Sequence, residues 1–176
     1  SIGRTMITYN PAFDLYHCIY RMAHILLKMD EHKPLEIDRV RIWDFYMLNP
    51  ALLNHVSLKL EETEIRDARK LLKLKETDYD YNGDVRKLFE WIKPFQVSAL
   101  GCLVSCGILG KEAFESGNVL VVSPGKLKAF IEHAGDISVH ERNILNFISF
   151  LFSGMSLTGT YGMKYRTKLL EFKYDA

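Results

Sequence analysis

Apolar residues recur along the start of the chain with a helical period. Over residues 13–29, Leu15, Ile19, Met22 and Leu26 follow one another at steps of four, three and four, and Tyr16, Tyr20, Ala23 and Leu27 widen the stripe. That spacing lines one face of an amphipathic helix. Asn10-Pro11 marks its start, because Asn accepts a hydrogen bond from a free first-turn amide and Pro has no amide to satisfy at the first helical position. Asp14, His17, Arg21, His24 and Lys28 share the opposite face, and the pattern predicts that this polar line meets solvent. After a polar break at residues 31–34, residues 37–48 are apolar enough, with Trp43, Phe45 and Tyr46, to form a largely buried helix in which these aromatics are core. Asn49-Pro50 repeats the earlier device and opens a short helix over residues 51–60.

Residues 61–76 alternate acids and bases around Ile65, Ala68, Leu71, Leu72 and Leu74, the pattern of a surface helix or a partner-facing segment. Residues 77–83, with Asp78, Asp80, Asn82 and Gly83, read as an internal turn or linker. Asp84 caps a helix holding Val85, Leu88, Phe89 and Ile92, which Pro94 either kinks or ends, and residues 95–106 are helical up to Gly107. The period then changes. Residues 118–122 are β-branched and bounded by Gly117 and Pro124, which predicts a short strand. Ser123-Pro124 starts a helix running to about His133, and Ser138-Val139-His140-Glu141 matches a capping box opening a helix to Phe152. Alternation of Leu170, Phe172 and Tyr174 with charged residues predicts a half-buried strand at residues 169–174. The whole reads as mainly α with a few short strands (α+β).

A length of 176 residues with 48% hydrophobic and 12% aromatic content suits a single domain over residues 1–176 with its own core. Residues 1–8 read as a tag remnant or an extended N-terminus, with Met6 as the natural start. Twenty-three Lys and Arg against 22 Asp and Glu leave a net charge of +1, so any nucleic-acid or membrane surface must be local. No apolar run approaches the roughly 20 residues of a membrane span. Three cysteines argue against a disulfide framework, and with no secretion signal the chain reads as cytoplasmic.

Little of the chemistry has a motif. The nearest approach to a phosphate-cradling loop, Gly107-Ile108-Leu109-Gly110-Lys111-Glu112, has the wrong spacing and ends in Glu. Cys102 and Cys106 lack a second ligand pair and read as buried thiols rather than a metal site. A metal or acid–base pair at His17 and His24 is opposed by Arg21 between them. No serine sits in a nucleophile-elbow sequence. Between Gly159 and Lys168, Lys164, Arg166 and Lys168 alternate, so that in an extended chain they form a basic line beside Tyr161 and Tyr165. Such a line suits phosphate contacts, or else a hairpin with a lysine-guarded edge.

Three segments together resemble a known family: Tyr9-Asn10-Pro11-Ala12-Phe13-Asp14 with Tyr16-His17 and Arg21; Leu35-Glu36-Ile37-Asp38-Arg39-Val40-Arg41-Ile42-Trp43-Asp44-Phe45-Tyr46; and Gly159, Gly162-Met163-Lys164, Arg166-Thr167 with Leu170-Glu171-Phe172-Lys173-Tyr174-Asp175. They are similar to the middle component of bacterial three-component ABC ATPase systems, the small accessory subunit of Lamassu-type anti-phage and anti-plasmid complexes. The resemblance implies a non-catalytic subunit without cofactor or metal, joining an SMC-like ATPase to an effector, often a nuclease, with double-stranded DNA reached through the complex. It implies a winged-helix-like core with additional N- and C-terminal helices, its helices over residues 84–106 and its wing near residues 118–122. It also makes Tyr9, Asn10, Pro11, Phe13, Asp14, His17 and Arg21 a docking face, and Lys164, Arg166 and Lys168 a DNA or partner contact. A free-standing winged-helix regulator is the rival reading, weakened because its recognition helix, residues 95–106, has no Lys or Arg. An enzyme built around His17, His24 or His140 is the third.

Overall fold

In a computed structural model, residues 10–75 and 84–170 are described. Asn10 caps a turn of 3-10 helix, Pro11–Phe13, by accepting from the Ala12 amide, and Asp14 then caps α1, Leu15–Met29, by accepting from the His17 amide. The helix therefore begins at Leu15 rather than at Phe13, because the chain is extended at Asp14. A short strand β1, Leu35–Glu36, leads into α2, Ile37–Leu48, the buried helix the aromatics predicted. Trp43, Phe45 and Tyr46 all lie in the core. Asn49-Pro50 opens a second 3-10 segment, Pro50–His55, and the charged stretch forms α3, Thr63–Leu71.

One continuous helix, α4, spans Val85–Ser105 with Pro94 inside it. A proline in a helix interior frees the carbonyl four residues back. Here Glu90 and Pro94 are both on the exposed side, where water can accept that role, so the helix neither ends nor restarts. A five-residue helix α5, Lys111–Glu115, which no periodicity announced, precedes β2, Asn118–Val119. Helices α6, Pro124–Ala134, and α7, Val139–Phe152, start on the Ser123 and Ser138 caps, the latter with both hydrogen bonds of a capping box. Last comes α8, Met163–Thr167.

β2 pairs antiparallel with β1, Leu35 opposite Val119 and Glu36 opposite Asn118, and a single bridge joins Leu109 to Val121. A wing would pair strands that follow one another in a hairpin; here β2 pairs with a strand that precedes α2. The molecule is thus mainly helical, with this two-stranded ladder as its sheet among the described residues. Of the strand expected at residues 169–174, Leu169 and Leu170 are not extended ladder residues and the rest lies outside the described residues, as do the turn at residues 77–83 and Tyr9.

α1 packs against α4 above all, then against α2, α6 and α7, so its apolar stripe is the hub of the core. Phe45 meets Phe89 edge to face, with ring centres 5.6 Å apart, and Tyr46 meets Phe152 at 5.9 Å. The edge-to-face geometry of the first pair adds to the burial of its two rings.

The cysteines divide differently from expectation. Cys18 is fully buried, but Cys102 is half-buried and Cys106 exposed at the C-terminal end of α4. Burial, reinforced by the Asp44 carboxylate and partly offset by Arg21, pushes the Cys18 thiol up to about 12. Thiolate is the reactive form, so at pH 8 a thiol reagent should label Cys106 in the folded protein while Cys18 stays unmodified until denaturant is added. Mass spectrometry of a labelling time course checks this; rapid labelling of Cys18 without denaturant contradicts it.

Candidate partner-binding surface

The polar line on α1 does not meet solvent throughout. Arg21 is only 7% exposed and His24 is buried with it, whereas His17 is exposed and Asp14 half-buried at the cap. What draws Arg21 inward is Asp44 on α2: its Nε donates to Asp44 Oδ1 at 2.7 Å and Nη2 to Oδ2 at 3.4 Å. Asp44 is wholly buried, and a buried charge is tolerated when paired and hydrogen-bonded.

A network grows from that pair. Gln96 on α4 donates through Nε2 to Asp44 Oδ2 at 2.9 Å and to the Arg41 carbonyl at 3.2 Å, while its Oε1 accepts from Arg41 Nε at 2.9 Å. Arg41, also wholly buried, donates to Asp38 Oδ1 at 2.8 Å and to the Phe89 carbonyl at 3.0 Å, and its guanidinium lies 4.0 Å from the centre of the Phe89 ring. Two cations thus face two carboxylates, and α1, α2 and α4 are tied together through side chains. Arg21 Nη1 also reaches the Pro11 carbonyl at 3.4 Å. The network therefore extends to the turn before α1.

That turn and the start of α1 display apolar side chains. Phe13 and Leu15 are exposed and Tyr16 is 66% exposed, while Phe13 meets Phe95 on α4 edge to face at 5.5 Å. Tyr16 in turn meets the His17 ring at 6.1 Å. On α4, Trp91 lies one turn before Phe95 and is 64% exposed. Of the residues in the expected docking face, Asn10, Pro11, Phe13 and His17 lie outside and Asp14 at the cap; Arg21 is instead the internal anchor that holds them. His24 belongs elsewhere, its Nε2 3.4 Å from the Gly135 carbonyl that also accepts from Tyr20 at 2.9 Å. Burial is the main reason its pKa falls below the ordinary histidine value.

The basic line near the C-terminus is not a line. Residues 163–167 coil into α8 instead of extending, which turns Arg166, two residues on, away from the side of Lys164. Gly162 permits the coil: a Cβ there would collide with the backbone of Thr158 and Ser156. Arg166 is buried, donating through Nη1 to Glu62 Oε1 at 2.6 Å and through Nε to the Tyr161 carbonyl at 2.7 Å. Although burial opposes ionisation of Glu62, hydrogen bonds from the Lys59 amide and from Arg166 outweigh it and hold the carboxyl below its usual range. Lys164 is half-buried and Lys168 exposed in a left-handed C-cap. Beside them Tyr161 and Tyr165 meet edge to face at 5.4 Å, with Lys59 5.0 Å from the Tyr161 ring centre.

Residues 95–106 form the second half of α4, where Gln96, Ala99, Leu100 and Leu103 are buried and no cation is present. Among the described residues no three of His, Cys, Asp and Glu converge on a point that could hold a metal ion, and no helix is long and apolar enough to cross a membrane. Sequence reasoning missed the network partners Arg41 and Gln96. Their signal was a pair of polar residues inside otherwise apolar helical faces.

Neither a curated protein nor a solved structure matches the chain. Residues 7–175 do match a family model, that of the ABC-three component (ABC-3C) system Middle Component 5. The match takes in the capped N-terminal turn, the buried network and the α8 corner alike, so the chain belongs to this family and is an accessory component of a three-component ABC system.

Proposed function

We propose that the chain is a non-catalytic adaptor that joins an SMC-like ABC ATPase to an effector, a nuclease, in a cytoplasmic prokaryotic complex acting against phage or plasmids, and that the turn before α1 contacts the ATPase. One observation carries this reading: Phe13 on the turn and Leu15 and Tyr16 at the start of α1 are displayed outward above a buried ion-pair network that reaches the turn through Arg21. Exposed aromatics on a rigid base are the kind of surface from which binding hot spots are made, because little side-chain or backbone freedom is lost on docking. In this reading DNA is reached through the assembled complex, with Lys164 and Lys168 as the cations beside it, while Arg166 serves the fold.

The test is co-expression with the ABC ATPase and the third component of its own system, followed by affinity purification and native mass measurement. A stable heteromer is expected, and replacing both Phe13 and Tyr16 by Ala should weaken it by on the order of tenfold or more with the far-ultraviolet circular dichroism unchanged. A chain that elutes alone, or a complex indifferent to that double substitution, rejects the assignment.

A further inference from the structure

α3 is a nine-residue helix that buries no residue completely. Isolated helices of fewer than about 12 residues are marginal in water, so tertiary contacts must hold this one. Polar groups do much of that work: Arg69 Nη1 donates to the Leu53 and Val56 carbonyls at 3.1 and 2.9 Å, Arg66 Nη2 donates to the Lys59 carbonyl at 3.0 Å, and Glu62 at the N-cap meets Arg166. Its apolar stripe of Ile65, Ala68 and Leu72 is only half-buried, and Leu71 is 80% exposed. Across from it α7 offers Phe147, which is buried, and Phe150, which is 49% exposed.

A groove runs between the two helices, lined by Ala68, Leu71, Leu72, Phe147 and Phe150, with His140 at one end and no acidic side chain in its wall. Its edge is basic. From Arg69 to Lys75 the chain carries four cations and no acid. Arg69 is committed to backbone carbonyls, which leaves Lys70, Lys73 and Lys75, all exposed and none with a carboxylate within ion-pair range among the described residues.

We propose that the groove between α3 and α7 receives an acidic amphipathic helix from a partner subunit of the complex. A trough between two contacting helices accepts a third helix, whose apolar stripe at helical spacing would complete the burial that Leu71, Leu72 and Phe150 lack. Its flanking carboxylates would face Lys70, Lys73 and Lys75. Charge complementarity singles out an acidic segment, since the groove itself holds no negative charge to repel one. This inference rests on the reading of the chain as an adaptor subunit and specifies a second contact, separate from the turn at Phe13 and Tyr16.

The experiment uses the full chain with the other two components, co-purified as above and compared by hydrogen exchange with the free chain. Expected is protection of α3 and of the exposed side of α7 on assembly. Leu71→Glu with Phe150→Glu should lower the affinity by on the order of tenfold or more. Reversing Lys70, Lys73 and Lys75 to Glu should slow association and flatten its salt dependence. Both sets change exposed side chains, and far-ultraviolet circular dichroism of the free variants confirms folding. If the wild-type chain forms no complex, the adaptor reading fails and this site with it. If a complex forms that neither set weakens, or that leaves α3 unprotected, the groove proposal alone is overturned. It is overturned equally if the free chain dimerises through this face, or if the three lysines bind a duplex DNA oligonucleotide and the apolar substitutions leave assembly unchanged.

Discussion

Replacing Asp44 by Ala is expected to destabilise the protein by about 3–5 kcal/mol, because it removes one partner of a buried pair and leaves the other charge uncompensated. Arg21 would keep its position 7% exposed with no carboxylate, and Gln96 Nε2 would lose the acceptor at 2.9 Å. With total stabilities near 5–15 kcal/mol for folded domains, a loss of that size is severe. Urea unfolding followed by circular dichroism measures it, and a midpoint within error of the wild type would show that the network is dispensable. The double variant Arg21→Met with Asp44→Leu sharpens the test. If the cost of the single change is mostly the stranded charge, the apolar pair should recover a substantial part of it. Recovery of folding without recovery of ATPase binding would then show that the network's role is to fix the turn at Pro11, whose carbonyl Arg21 reaches through Nη1.

The second large effect is expected at Phe89. Its side chain is fully buried on α4, meets Phe45 edge to face, and supplies the ring under the Arg41 guanidinium. Phe89→Ala should cost about 3–5 kcal/mol through lost burial and the cavity left behind. Because Arg41 and Gln96 link this ring to Asp44, Phe89→Ala and Asp44→Ala share a network and their costs should not add. A double-mutant cycle is expected to give a coupling of about 0.5–3 kcal/mol, as residues in one network do. Strict additivity would mean that the ring and the ion pairs are held independently, against the geometry of Arg41.

The elements that were legible in the chain are those set by local chemistry. Asn10, Asp84, Ser123 and Ser138 all accept the amide hydrogen bonds expected of caps, because a cap is satisfied within three residues and needs nothing from the rest of the fold. The limits of α2 followed from its apolar content and the proline after it. What was not legible depended on residues far apart in sequence. Arg21 occupies a polar position by periodicity, and only Asp44, brought in by the packing of α2, makes its burial possible. Arg166 likewise looked like one of three exposed cations until Glu62 was beside it. Spacing within residues 159–168 fits a strand as well as a turn of helix, and the decision rested on Gly162 approaching the Thr158 carbonyl, a contact that the alternation of lysines does not encode. The habits of free cysteine favour the interior for Cys102 and Cys106, but the face they occupy on α4 leaves Cys102 half-buried and Cys106 exposed. Within the candidate surface the sequence singles out Phe13, but its periodicity puts the exposed Tyr16 on the apolar stripe of the first helix and marks neither Trp91 nor the network beneath.

The order in which the chain is made gives the position of α1 a further meaning. Of its packing partners α2 follows directly, but α4, α6 and α7 lie much later in the sequence, and synthesis proceeds at about 5–20 residues per second. For several seconds on the ribosome, therefore, the apolar residues Met22, Ile25 and Leu26 exist before α4, α6 and α7 are made to cover them. A nascent chain in that state is open to chaperones and to any apolar surface nearby. Slowing translation before α4 should lengthen that interval and lower soluble yield, whereas slowing it after α7 should not.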